Sequence, residues 1–289
     1  MKLENERLCV EIVERGAEVV RIYDKKKNQE ILWDGKPEFW KRHSPILFPN
    51  VGKTWNNTVL FNGIQYPSSQ HGFARDNDFL CVKSDKTEAV WLLRSSDETK
   101  EVYPFDFELY ITYMLEKNRL HVKWEVKNHS EETMYFTIGG HPAFWCAQDA
   151  ESRNECFLKF PGKESLEYIG VDLPTGAALP KTKQTLFLKE GFCQITDKLF
   201  ELDTMIFDGG QIEEAWLCHK DGTPFAGVVC KGFPNFGIWS VRGSPFVCLE
   251  PWAGRCDDKG FDEDISQKPG INQVEAGEIF QKEYTIVVG

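Results

Sequence analysis

The sequence predicts an all-β fold, a large antiparallel β-sandwich with few short helices. Three observations carry that prediction. Short runs alternate apolar and polar residues with a period of two, which puts one set of side chains on one face of a sheet. Turn residues punctuate these runs at short intervals, the pattern of many strands in sequence. Long helical periodicity is nearly absent. The 289 residues are 41% apolar and 13% aromatic, enough to fill a large core. Single all-β domains reach this length. No linker, internal repeat or low-complexity stretch interrupts the chain, so residues 1–289 read as one domain.

The elements follow in order. Val19 to Tyr23 is strand-like and runs into a lysine-rich turn, Lys25-Lys26-Lys27-Asn28. Phe61-Asn62-Gly63-Ile64 places Asn-Gly between apolar residues, the strongest short hairpin signal. Phe79 to Lys83 and Ala89 to Arg94 follow as strands. The clearest hairpin is central. Phe107, Leu109, Ile111, Tyr113 and Leu115 alternate up to a turn at Lys117-Asn118, and Leu120, Val122, Trp124 and Val126 alternate after it. The same alternation puts His121 on the polar face beside Lys123, where it reads as a surface residue. From about Ser152 to Leu202, Pro and Gly pairs predict loops and short strands. Strands resume at Ala215–His219, Phe225–Cys230, Phe236–Val241 and Phe246–Glu250, and Phe280–Val288 closes the chain.

Charge narrows the partners. Charged residues make up 27% and the formal net charge is -11, a poor footprint for nucleic acid or an anionic membrane. No apolar run reaches the length of a membrane span. Residues 1–7 carry no apolar signal core. The nine cysteines form no CxxC spacing, and several sit inside apolar runs, as in Val228-Val229-Cys230. They read as buried thiols of a reducing compartment, not as disulfides or a zinc site. A cytoplasmic enzyme acting on a small molecule fits these features.

Three polar stretches stand at the ends of apolar runs. In Gly139-Gly140-His141-Pro142 a histidine follows two glycines and precedes a proline, in a tightly specified backbone. A histidine titrates near neutral pH without large perturbation, so His141 is either a general acid or a core histidine satisfied by backbone. Glu250 ends the run Phe246-Val247-Cys248-Leu249 and precedes Pro251-Trp252-Ala253-Gly254, which reads as an abrupt turn. A carboxylate there is costly to bury unpaired, and the Trp252 indole offers a platform for the apolar face of a sugar. Otherwise Glu250 forms a structural ion pair or a cap. Gln70-His71-Gly72-Phe73-Ala74-Arg75 supplies donors for hydroxyl or phosphate oxygens, or else a surface arginine paired with Asp76 or Asp78.

Taken together, the stretches resemble one family, the aldose 1-epimerases or mutarotases, in the branch of LacX-type and hexose-6-phosphate-epimerase-like members. The resemblance runs through Arg15-Gly16-Ala17-Glu18, Ile31-Leu32-Trp33, Pro45-Ile46-Leu47-Phe48-Pro49, Val51-Gly52 and His71-Gly72-Phe73-Ala74-Arg75. It continues through Gly140-His141-Pro142-Ala143-Phe144, Asp203-Thr204-Met205-Ile206-Phe207 and Leu249-Glu250-Pro251-Trp252. It implies a large antiparallel sandwich with a sugar cleft on its face. By position it implies His141 as general acid and Glu250 as general base. It also implies Gln70, His71, Arg75 and Asp203 as sugar contacts, and a reaction needing no metal, nucleotide or redox cofactor. Phosphosugar members carry a further arginine in an Arg-Gly-Gly-like stretch. Here the residues are Trp40-Lys41-Arg42-His43-Ser44-Pro45, basic but without the glycines. The substrate is thus left open between a free and a phosphorylated sugar, as is any role of Lys41, Arg42 and Lys53 in the cleft.

Two rival readings come from other classes. A non-catalytic sugar-binding or sensing protein would keep the cleft and lose His141 or Glu250, and both are present. A glycoside hydrolase or lyase needs two carboxylates about 5–9.5 Å apart. The best-placed partner of Glu250 is a histidine.

Overall fold

The computed structural model describes residues 1–147 and 149–289. Two antiparallel sheets dominate. The larger has nine strands, in spatial order Phe192–Gln194, Phe157–Lys159, Glu214–Cys218, Pro224–Val229, Ile279–Val288, Arg119–Asn128, Phe107–Glu116, Glu88–Arg94 and Leu80–Ser84. The other runs Met205–Asp208, Asn235–Trp239, Phe246–Ala253, Ile138–Gly140, Ile46–Leu47, with Ala143–Trp145 also paired to Phe246–Ala253. A four-stranded sheet of residues 2–30 packs its Ile12, Val19 and Ile22 into the same core. Among the described residues the α-helices are single turns at Asp97–Lys100 and Ala150–Arg153. Among the described residues no helix is long and apolar enough to cross a membrane.

The predicted alternation governs the packing. Leu109, Ile111 and Trp124 of the large sheet meet Ile138, Val247 and Leu249 of the smaller one in a single apolar core. The central hairpin pairs Phe107–Glu116 with Arg119–Asn128 in unbroken register from Phe107↔Asn128 to Glu116↔Arg119. His121 lies on the outer face as its parity requires, half-buried beside Glu283 at 3.2 Å. The Asn62-Gly63 hairpin forms with both residues at positive φ, 49° and 77°, the geometry its strand twist favours. The irregular middle resolves into short strands, two of which extend the nine-stranded sheet.

One departure from the sequence reading shapes the site. The strand does not end at Glu250 but runs on through Pro251 and Trp252 to Ala253, and the chain turns at Gly254, φ 83°. A proline inside a central strand is unusual because it removes a ladder donor. Here the missing N–H falls at a gap. On one side Phe246–Ala253 pairs first with Ala143–Trp145, up to Ala143↔Cys248, and then with Ile138–Gly140, from Gly139↔Trp252. Leu249 N–H still donates to the Pro142 carbonyl, at 3.2 Å. The His141 segment bridges the interruption.

Candidate active site

The register is the same on both sides of that gap, so His141 falls directly opposite Glu250. Opposed residues on adjacent antiparallel strands project from the same face, with Cβ atoms about 4.5–5.5 Å apart. Parity picks the face. Val247 and Leu249 fill the main core, so Phe246, Cys248, Glu250 and Trp252 point the other way. His141 Nδ1 lies 3.4 Å from Glu250 Oε1.

The two glycines before His141 are required by packing on both faces. A Cβ on Gly139 would lie 2.4 Å from the Trp252 ring, and one on Gly140 would lie 2.6 Å from the Tyr284 hydroxyl. Gly237, across from Glu250, would collide with the same indole at 2.3 Å. Trp252 therefore lies flat across two strands that have no side chains beneath it. The structure corrects the sequence reading of this residue. Trp252 is only 4% exposed and packs against Leu47, Val51 and Ile206, so it presents no open ring face to a sugar.

Two indoles that sequence reasoning did not select stand beside His141 instead. Trp40 stacks on the imidazole with centroids 4.7 Å apart, and Trp239 meets it edge-on at 5.5 Å. Both are partly exposed. Trp239 carried a readable signal: Phe236 and Ile238 are core residues, so Gly237 and Trp239 share the face of Glu250. Trp40 carried none beyond being aromatic, because only the tertiary fold brings it to His141.

The second predicted stretch arrives as well. His71 and Gly72 both adopt positive φ, 66° and 67°, and a Cβ on Gly72 would lie 2.2 Å from the Phe48 carbonyl oxygen. That turn places the His71 ring 5.6 Å from the His141 ring, edge to face. Gly52 N–H donates to His71 Nδ1 at 3.1 Å, so the ring proton sits on Nε2, where the Gln70 amide lies 3.4 Å away. Gln70 is exposed. Arg75 Nη2 donates to the Gln70 carbonyl at 2.7 Å, while its buried Nε has no hydrogen-bond partner. Asp76 links the two arginines of this corner, 2.8 Å from Arg42 and 3.6 Å from Arg75. Of the basic residues left open above, Arg42 thus joins the Arg75 corner, Lys41 is exposed, and Lys53 packs along Gly176. Asp203 closes the opposite side. It holds φ 63°, and its carboxylate accepts the Trp239 indole N–H.

The electrostatics follow from burial. Both His141 and Glu250 are nearly sealed, at 6% and 1% exposure. Burial, aided by Arg75 and Arg42, drives the His141 imidazole down to about 3. Burial and the neighbouring Asp203 carboxylate push Glu250 well above the usual carboxylate range, and the Trp252 indole offsets this only in part. His141 Nδ1 and both Glu250 oxygens lack hydrogen-bond partners. Burial and then His141 lower His71 well below its ordinary value, and burial with Arg42 draws Arg75 down to about 10. Burial also raises Asp203. A separate cavity of about 530 Å³ lies behind the His71 turn, under the Thr58–Pro67 hairpin. Neither His141 nor Glu250 lines it, so the site is identified by this buried pair and not by that cavity.

Fold and site together define an antiparallel β-sandwich with a buried imidazole–carboxylate pair on one sheet face. The chain belongs to the aldose 1-epimerase family, whose model matches residues 1–264. It is 28% identical to the plasmid-encoded Protein LacX of Lactococcus lactis subsp. lactis, over all of this chain and 99% of that protein. A solved galactose mutarotase related enzyme from Lactobacillus acidophilus superposes with a TM-score of 0.93 at 30% identity, covering 100% of this chain and 97% of that one. A galactose mutarotase-like protein from Lactobacillus casei ATCC 334 gives 0.91 at 28%, covering 100% and 99%.

Proposed function

We propose that the chain is an aldose 1-epimerase that interconverts the α and β anomers of a hexose or hexose phosphate. Family membership supports a carbohydrate epimerase-like role. The observation that carries the finer reading is the 3.4 Å contact between His141 and Glu250, with no hydrogen bond on the facing atoms. The anomeric hydroxyl and the ring oxygen of a sugar are both bonded to C1. An acid and a base that serve them must therefore be close neighbours. Two carboxylates flanking a glycosidic bond stand farther apart, about 5–9.5 Å, which is why hydrolysis fits this pair less well.

In the proposed cycle Glu250 takes the proton of the anomeric hydroxyl and His141 gives one to the ring oxygen. The C1–O5 bond opens to an aldehyde, the C1–C2 bond rotates, and the ring recloses on the other face with the roles reversed. The pair carries one mobile proton throughout. In the empty cleft burial favours the neutral forms, with that proton on Glu250. This is the proton arrangement that the cycle reaches after ring opening. Closure starts from it directly, and opening starts once the proton has crossed to His141. Positioned acid–base groups contribute about 10²–10⁴-fold each.

His71, Gln70, Arg75 and Asp203 are read as sugar contacts that hold the ring against the pair, the proximity part of catalysis. Trp40 and Trp239 flank the imidazole, and Trp252 walls the carboxylate. The test is anomer exchange by NMR on glucose, galactose and their 6-phosphates, with and without protein. Faster exchange of one sugar supports the reading and names the substrate class. A response confined to phosphates assigns Arg75 and Arg42 to the phosphate. Binding without acceleration overturns the reading in favour of a sugar-binding protein.

A further inference from the structure

Cys248 has no part in the cycle above, yet its thiol lies with the pair. It precedes Glu250 by two residues on one strand, so both side chains leave by the same face. One donor atom each from His141, Cys248 and Glu250 lie within 4.8 Å of one another, and all three residues are buried. His141 Nδ1 and both Glu250 oxygens have no hydrogen-bond partner, so lone pairs converge there with nothing to satisfy them.

We propose that His141, Cys248 and Glu250 form a site for a single soft divalent cation, of the zinc or cadmium class, and that its binding blocks the acid–base pair. The donor set decides the class of ion. One nitrogen, one sulfur and one oxygen suit zinc or cadmium, whereas magnesium and calcium take oxygen donors in larger number. Bonds of about 2.0–2.3 Å around a tetrahedral ion hold donor atoms roughly 3.3–3.7 Å apart. His141 and Glu250 already meet that spacing at 3.4 Å. The thiol, within 4.8 Å of the other two donors, has at most about 1 Å to close.

Charge favours the same ion. A dication bound by a thiolate, a carboxylate and a neutral imidazole leaves no net charge in a buried place, which removes the main cost of putting an ion there. The thiol must lose its proton on binding, so affinity falls as pH drops. Three protein ligands leave the fourth position to water or a sugar hydroxyl. While the metal is bound, the imidazole and carboxylate lone pairs are committed and cannot move protons. The inhibition rests on the acid–base reading above, whereas the binding rests on the donor geometry alone.

Cadmium titration of the purified protein tests both parts. Binding is followed by the ultraviolet thiolate–cadmium charge-transfer band, and anomer exchange is followed in parallel. The expected result is a stoichiometric site in the unmodified chain, weakened at least about 10-fold in Cys248→Ser, Cys248→Ala and His141→Asn. The two Cys248 variants keep their metal-free exchange and resist cadmium, and a chelator restores the inhibited protein. Cys81 and Cys193 are the half-buried thiols, and any signal from them persists equally in every variant. Equal cadmium affinity in the unmodified chain and the Cys248 variants would overturn the proposal. If the protein exchanges no sugar, the acid–base reading falls while the cadmium titration still decides the site.

Discussion

Asp24 and Glu250 are almost equally hidden, at 0% and 1% exposure, and their carboxyl groups shift in opposite directions. Burial pushes both upward. At Asp24 the surroundings outweigh it: Arg7 donates to both oxygens at 2.8 Å, and the N–H groups of Lys26 and Lys27 add to Oδ1 at 2.9 and 3.2 Å. Its acidity therefore ends up stronger than usual. At Glu250 neither oxygen has a hydrogen-bond partner, the adjacent histidine is kept neutral by burial, and the Asp203 carboxylate adds to the upward push that the Trp252 indole only partly offsets. One carboxylate is a finished structural element. The other is buried with no hydrogen-bond partner on either oxygen, which suits the proton exchange proposed for it.

The largest expected effect separates the two by chemistry. Glu250→Gln and His141→Asn each lower kcat for anomer exchange by at least about 10²-fold. Near-normal turnover in either folded variant would break the assignment. Asp24→Asn leaves exchange intact and lowers stability by about 3 kcal/mol, the cost of breaking a largely buried pair. Chemical denaturation measures it, and a loss below about 1 kcal/mol would remove Asp24 as the contrasting case.

Much of this comparison was legible in the chain. Period-two alternation located the central hairpin and most later strands, because a half-buried strand must alternate. The glycine–histidine and leucine–glutamate stretches located the pair. What stayed hidden was tertiary. Pro251 looked like a turn because prolines are excluded from central strands, and only the gap opposite His141 makes this one acceptable. Trp252 looked like a sugar platform because the glycines that receive it, Gly139 and Gly237, lie on two other strands. Trp40 and Arg42 meet the site through contacts that no local pattern encodes.

Smaller effects sharpen the account. Arg75→Ala raises KM more than it lowers kcat, as removal of uniform binding does. A loss confined to kcat would instead place Arg75 in the transition state. The pH profile of kcat/KM reports the free protein, where burial holds the His141 imidazole down at about 3. The profile should show no step near histidine's ordinary value of about 6.5. Its acid limb should lie close to 3 wherever the fold survives. An inflection near 6.5 would mean that His141 titrates as an exposed imidazole.

The pair also makes opposite predictions for stability against pH. Glu250 has a folded pKa raised above its unfolded value, so above about 4.5 the unfolded chain loses this proton first and stability declines as pH rises. Asp24 has a lowered folded pKa, so its contribution is present above about 3.9 and is lost as pH falls through the folded value. The most direct single test is therefore anomer exchange and denaturation, measured together at pH 7 on the unmodified chain, Glu250→Gln and Asp24→Asn. The account predicts that Glu250→Gln is inactive and more stable by on the order of 1 kcal/mol, and that Asp24→Asn is active and less stable. A Glu250→Gln variant that keeps its exchange rate, or that loses stability as Asp24→Asn does, would contradict it.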